Sequence, residues 1–316
     1  MTTVTLDAAG LTKRFGARTA VDDVSFTAHR GEVLGLLGPN GAGKTTTIRL
    51  LTTVLTPTAG EFSVDGVPCS QPTEIRRRVG VLAESAGYPG HQTGRDYLRY
   101  HARLFGLARR DAETVATRLL TEVGLAERPS SRISTYSRGM RQRLGIARAL
   151  VNDPSVVFLD EPTLGLDPAG QRQVLGIVRD IAAGRGATVV LSTHTLPEVE
   201  EVCTTVLILN GGRVLTVGSV ADVTRAVAAA PRSARLRVPF ESVDRAADAL
   251  AGVTGLLVRA VDERPDLLTI SMTAVGADLN EALRVVLAAG IPVLSFEVEG
   301  ARLGDAFAAM TTAGTP

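Results

Sequence analysis

Gly38 to Thr46 reads Gly-Pro-Asn-Gly-Ala-Gly-Lys-Thr-Thr, a residue combination suited to holding a phosphate. Glycines at 38, 41 and 43 let the backbone curl until successive N–H groups point into one concavity. A helix starting at Lys44 adds the positive end of its dipole. In this arrangement the Lys44 ammonium reaches the terminal phosphates of a nucleotide and the Thr45 hydroxyl ligates Mg²⁺, while Pro39, Asn40, Ala42 and Thr46 complete the cradle. Lys13 and Lys44 are the only lysines among 34 basic residues. A lysine kept where arginine is otherwise the rule points to a place that needs a compact ammonium rather than a planar fork.

A second group of residues supplies what a phosphate socket lacks. Val156-Val-Phe-Leu-Asp160-Glu161 is an apolar run ending in two acids. Asp160 is placed to hold Mg²⁺ through water, and Glu161 to orient and polarise a water attacking the outermost phosphate. Upstream, Tyr136-Ser-Arg-Gly139-Met140-Arg-Gln-Arg opens a helical pattern. Ser137 there is either an ordinary helix cap or, with the bare N–H groups beside it, a second anion site. His194, in Leu191-Ser-Thr-His, reads by itself as a histidine at the end of a strand.

The elements that must position these groups follow from periodicity. Glu32 to Leu37 is the strand feeding the phosphate loop, and Ile48, Leu51 and Leu55 recur at helix spacing after it. Val4 to Phe26 alternates as strands broken by a turn at Phe15-Gly-Ala-Arg18. Glu61 to Val64 is a strand, Asp65-Gly66 a tight turn, Pro72 to Arg78 a short helix and Val79 to Leu82 another strand. From Thr93 to Leu150 the pattern is helical almost throughout, with Tyr97, Leu98, His101, Leu104 and Phe105 on one face and Leu119, Leu120, Val123 and Leu125 on another. Unbroken apolar runs at Val156–Leu159, Thr188–Leu191 and Thr205–Leu209, separated by helices near Ala169–Ala183 and Leu196–Val202, have the character of parallel strands covered on both faces. Beyond a join at Thr224 to Arg235 the order changes to βαββαβ, which predicts a small α+β domain of the ferredoxin-like kind.

Composition narrows the classes. A chain of 316 residues predicts two domains at about 150 residues each. Apolar residues make up 45% and charged residues 21%, enough to bury a core. Basic and acidic residues number 34 and 33, which argues against a dedicated nucleic-acid binder with a basic face. No signal peptide is expected, and no apolar stretch approaches the roughly 18 residues that span a bilayer. Cys69 and Cys203 lack metal-ligand spacing and read as reduced packing residues of a cytosolic chain.

Taken in order, these segments resemble an ABC transporter ATP-binding subunit, over roughly the first 220 residues. The fold that this implies is a P-loop NTPase α/β domain at 1–224 with a helical subdomain at about 85–150, and the α+β domain then occupies 225–316. The Ser137 segment resembles the family's signature motif, usually Leu-Ser-Gly-Gly-Gln, in a form common among drug-resistance exporters. Tyr136, Arg138 and Met140 replace Leu, the first Gly and Gln, while Ser137 and Gly139 are kept. Phe15 falls where the family stacks an aromatic on adenine, though a core position would also suit it. Asp167 in Gly165-Leu-Asp-Pro matches the loop that crosses the dimer, and His194 the switch histidine at the γ-phosphate. Glu84 stands where the family usually has Gln, and there it ligates Mg²⁺ or accepts from a metal-bound water; a solvated hinge residue is the other reading.

The resemblance further implies ATP and Mg²⁺ as cofactors and a head-to-tail pair, each ATP lying between the P-loop of one copy and the signature of the other. It implies a separate multi-span membrane permease contacted near Glu84 and the helical subdomain, and a place on the cytoplasmic face of the membrane. The ending Leu303-Gly-Asp-Ala-Phe-Ala-Ala-Met resembles the terminal helix of exporter ATPases, either packing or contacting a partner. Translation factors and chromosome ATPases usually carry two cassettes or a long coiled coil between loop and signature, and this chain has neither. The intact Lys44, Asp160, Glu161 and His194 argue against a non-hydrolysing module, and a small-molecule kinase would explain the loop but not the Ser137 segment or His194.

Overall fold

The computed structural model describes residues 3–84, 87–128, 130–223, 233–261, 264–272 and 279–299. The chain divides into two compact units, Met1–Val220 and Ala221–Pro316. The ending Leu303 to Met310 lies outside the described residues.

The first unit is built on two sheets. One holds β1 (Val4–Phe15), β2 (Arg18–His29), β4 (Ala59–Val64) and β5 (Val67–Pro68) in the antiparallel order β2-β1-β4-β5. The other holds β3 (Val33–Leu37), β6 (Val79–Leu82), β7 (Val156–Asp160), β8 (Thr188–Thr193), β9 (Thr205–Asn210) and β10 (Arg213–Ser219), in the order β10-β9-β3-β8-β7-β6. All neighbours in it are parallel except β10, which turns back along β9.

The apolar runs are unbroken because both faces of this sheet are covered. Val157, Leu159, Val189 and Leu191 point into a core shared with the helices α3 (Gly94–Leu104), α4 (Arg109–Glu122), α5 (Arg138–Ala149) and α6 (Pro168–Arg185). Their alternates Val156, Phe158 and Val190 point into a second core shared with the antiparallel sheet and with α1 (Lys44–Leu51). Successive strand residues face opposite sides, so a strand between two cores needs an apolar residue at nearly every position.

Two sequence expectations are corrected here. Helix α1 stops at Leu51, and Thr53 takes a left-handed φ of 60°, so Leu55 packs on the core from the following turn and not from the helix. On α3 the buried face is Tyr97, Leu98 and Ala102, whereas Leu104 and Phe105 project outward.

Helix α2 (Pro72–Arg78) leads straight into β6, and α5 packs directly against that strand. At Gly80 a Cβ would stand 1.9 Å from the Ala149 carbonyl oxygen. Backbone cannot yield as a side chain can, so Gly80→Ala is expected to lower stability by about 1–3 kcal/mol or more. Urea denaturation measures this loss.

The second unit follows the order β11 (Ser233–Arg237), α8 (Val243–Ala251), β12 (Leu256–Val261), β13 (Arg264–Met272), α9 (Leu279–Ala288), β14 (Ser295–Glu299). Its antiparallel sheet runs β12-β13-β11-β14, with Ala234, Leu236, Leu268 and Ile270 turned toward Ala246, Leu250, Ala282 and Val286 of the two helices. This is the split βαβ arrangement of a ferredoxin-like sheet. On its other face Arg237 donates two hydrogen bonds, at 2.9 and 2.7 Å, to Oδ2 of Asp266, and these hold the Asp266 carboxyl below its ordinary range.

Candidate active site

The carboxyl ends of four parallel strands open on one edge of the large sheet, and each carries a residue singled out by its chemistry. After β3 comes the phosphate loop, after β6 Glu84, at the end of β7 Asp160 and Glu161, and after β8 His194. The strand order β3-β8-β7-β6 makes the four chemistry-bearing ends successive neighbours although they lie far apart in sequence. Crevices at this edge of an open α/β sheet are where ligands bind.

The loop needs its glycines for space as well as for curvature. A Cβ on Gly38 would lie 2.5 Å from the Leu209 carbonyl oxygen, and one on Gly43, whose φ is 103°, would lie 2.6 Å from that of Ala20. With the loop held so close to β2 and β9, the N-terminus of α1 is left facing the cleft. Lys44 is only 6% exposed. Its ammonium donates to the carbonyls of Gly38 at 2.7 Å and Pro39 at 3.3 Å and sits 3.6 Å from Glu161 Oε1. The cleft measures about 430 Å³, and Asn40 to Thr46, Glu84, Glu161 and His194 line it.

Glu161 is the most constrained of these residues. Its φ of 49° is left-handed, a cost that non-glycine residues bear where the surroundings hold them. The hold is visible: its N–H donates to the Ser192 carbonyl of β8 at 3.1 Å. Its carboxylate, 9% exposed, meets His194 Nδ1 at 2.9 Å through Oε2 while Oε1 faces Lys44. Beside it the buried Asp160 Oδ1 and Ser192 Oγ have no hydrogen-bond partner among the described residues. The arrangement can bind a polyphosphate at the loop and hold a water against its end, next to an acceptor.

The remaining predicted residues stand elsewhere. Ser137 caps α5, accepting from the Met140 N–H at 3.2 Å, and is exposed together with Arg138; Gly139 and Met140 are half buried. Asp167 is exposed and caps α6, accepting from the Gly170 N–H at 2.9 Å. None of these residues lines the cleft. Phe15 is 48% exposed at the β1–β2 turn, so it is not a core residue; its ring lies 5.3 Å from the Lys13 ammonium. Arg18, opposite Phe15 in the hairpin, does line the cleft, as do Ala20 and Leu164. These three went unread because nothing in a turn-flanking arginine or a lone alanine or leucine signals a ligand. Cys203 is a packed residue, its thiol pushed up to about 12 by burial and, secondarily, by the charge of Glu198.

Residues 21–164, which carry the loop, the signature segment and both acids, match the family model for the ABC transporter. A daunorubicin resistance ATP-binding protein of Streptomyces coeruleorubidus is 36% identical over 98% of this chain and 96% of its own length. The chain belongs to the ABC transporter ATP-binding family. Among other relatives, a Nod factor export ATP-binding protein I of Mesorhizobium japonicum is 40% identical over 68% of the chain and 64% of its own length. The solved structure of an ATP-binding subunit of an ABC transporter, 34% identical, superposes with a TM-score of 0.63 over 70% of the chain and 92% of its own. A dimeric ATP-binding cassette bound to ADP and phosphate, 23% identical, shares the fold with a TM-score of 0.62 over 68% of the chain and 98% of its own. The activity of this ABC protein is accordingly ATP binding and hydrolysis.

Proposed function

We propose that the chain is the motor subunit of an exporter: two copies close head to tail on ATP and drive a separate multi-span membrane permease that moves drugs, lipids or other hydrophobic compounds. The observation that carries this reading is the division of the nucleotide-binding residues. Lys44, Glu84, Glu161 and His194 converge on one cleft, while Ser137, Gly139 and Asp167 stand away from it on surface that a second copy can reach. A site half built in one chain is completed by a second copy across a two-fold interface, where loop meets signature twice. The daunorubicin resistance and Nod factor export names of the relatives favour an exporter of apolar cargo.

In this reading Lys44 and the loop N–H groups hold the β- and γ-phosphates, Glu161 accepts the proton of the attacking water, and His194 keeps Glu161 oriented and reaches the γ-phosphate. Phe15 offers its exposed face to the adenine. Ser137, Gly139 and Met140 supply the anion site that meets the partner's nucleotide, and Asp167 lies at the crossing between copies. A divalent cation suits the cleft. Among the described residues Asp160 Oδ1, next to Glu161, is a buried oxygen without a partner, and Thr45 and Glu84 bring further oxygens to the cleft lining. Among the described residues no cluster of three His, Cys, Asp or Glu is poised to hold a metal by itself. That favours Mg²⁺, which binds through one or two protein ligands together with substrate phosphates and there offsets their charge.

We place the chain at the cytoplasmic face of the membrane, docked through the helical subdomain at about 85–150. Among the described residues no helix is long and apolar enough to cross a membrane, so attachment runs through the permease. The accessory domain at 225–316 is assigned no catalytic part. Purification of the tagged chain from its own membranes is expected to bring down a multi-span permease. Recovery with ribosomes or DNA alone would overturn the transport reading.

A further inference from the structure

Glu198 lies in the first turn of α7 (Leu196–Val202), beside two further acids, Glu200 and Glu201. It is only 5% exposed. Its two carboxylate oxygens go to two different segments. Oε1 accepts from the Thr163 hydroxyl at 2.7 Å, and Oε2 accepts from the Thr193 hydroxyl at 2.8 Å. Both threonines are buried, and among the described residues no cation pairs with the carboxylate. A buried charge held by hydroxyls alone is costly, and the two charge-assisted bonds are what make it tolerable.

The two threonines flank the catalytic pair. Thr163 follows Glu161 by two residues in the turn where the Leu164 N–H donates to the Glu161 carbonyl at 3.2 Å. Thr193 immediately precedes His194, and its hydroxyl oxygen also accepts from the Thr195 N–H at 3.0 Å. Behind the cleft one carboxylate therefore ties the segment carrying Glu161 to the segment carrying His194. In front, the two side chains meet at 2.9 Å. We propose that Glu198 is a positioning residue that fixes the Glu161–His194 contact by clamping Thr163 to Thr193. Glu198 lines no part of the cleft and touches no reacting atom. Its effect falls on the chemical step and not on nucleotide binding, because the phosphate loop is held separately by β2 and β9. The inference rests on the reading of Glu161 and His194 as the hydrolytic pair.

The test uses the full chain at concentrations that favour the ATP-bound dimer, with turnover, binding of a fluorescent ATP analogue and Tm measured together. Glu198→Ala is expected to lower kcat about 10- to 100-fold while nucleotide affinity stays within about threefold, since small misplacements of reacting groups act on rate first. Glu198→Gln, which can accept from one threonine and donate to the other, is expected within about threefold of the parent kcat. Thr163→Val with Thr193→Val should reproduce the loss, and adding Glu198→Ala to that pair should cost nothing more, the sign of one shared interaction. Should Glu198→Ala fail to fold, the valine pair decides, because it removes the hydroxyls and keeps the carboxylate. Unchanged kcat in the valine pair, a loss confined to nucleotide affinity, or an equal loss in Glu198→Gln would overturn the proposal. Glu161→Gln is run beside them. If it turns over normally, the reading of the pair has failed; if it stalls while Glu198→Ala does not, only the positioning role has failed.

Discussion

Glu161→Gln is expected to bind ATP as well as the parent chain, to hydrolyse it at least about 100-fold more slowly, and to accumulate as an ATP-bound dimer. The amide is nearly isosteric, so the constraints on the residue survive the change. The left-handed backbone at φ 49° is pinned from β8 by the Ser192 carbonyl, and the side chain remains enclosed between Lys44 and His194. What is lost is the capacity to take a proton from water. Binding and turnover should separate because binding draws on the loop N–H groups and Lys44, whose ammonium the Gly38 and Pro39 carbonyls still hold when the Glu161 charge is removed. With ATP bridging two copies and nothing consuming it, the closed state has no exit. Size-exclusion chromatography with ATP reads the dimer, and phosphate release reads the rate. Steady-state hydrolysis at the parent rate would remove Glu161 from the catalytic role.

The parallel strands were legible because burial on both faces leaves its mark on every residue of a short run: Val156 to Leu159 and Thr188 to Leu191 lie inside the strands that form. The bounds of α2 and β6 were readable too, since Pro72 opens a helix and the β-branched Val79 begins a strand. Periodicity failed where core contact and element membership part company. Leu55 packs on the core like a helical residue, yet it follows the helix end. Strand β10 passed unread because it is an edge: its residues alternate between half-buried and exposed, and Val217 faces solvent.

The site was legible in a different way. The phosphate loop and the Asp160-Glu161 pair announce their chemistry through local spacing, and the structure brings Asn40 to Thr46 and Glu161 to the cleft, with Asp160 buried next to Glu161 and not in the lining. The nearness of His194 to Glu161 is a consequence of strand order, β8 lying beside β7, and spacing carries no information about order. For Glu84 and His194 the resemblance supplied what the residues alone left open. Ser192 and Glu198 gave no signal at all. A serine inside an apolar strand and a glutamate on an acidic helix each look ordinary until burial and partners are known.

The proposed division of the site between two copies leads to the second large effect. Lys44→Ala removes the ammonium held by the Gly38 and Pro39 carbonyls and by Glu161, and should reduce hydrolysis about 100-fold or more, because the phosphates lose their nearest fixed charge. Gly139→Asp should do the same from the other half, by setting a carboxylate where the partner's phosphates arrive. The fold tolerates this second change: a Cβ at Gly139 meets nothing nearer than Leu166 Cδ2 at 3.8 Å. Each variant alone disables both sites of its dimer. When the two are mixed, one chain brings an intact loop and the other an intact signature, so each mixed dimer regains one complete site. Random pairing makes half the dimers mixed, and hydrolysis should return to about a quarter of the parent value. A mixture as inactive as its components would mean that loop and signature act within one chain, and the clamp would then have to be abandoned for a self-contained ATPase.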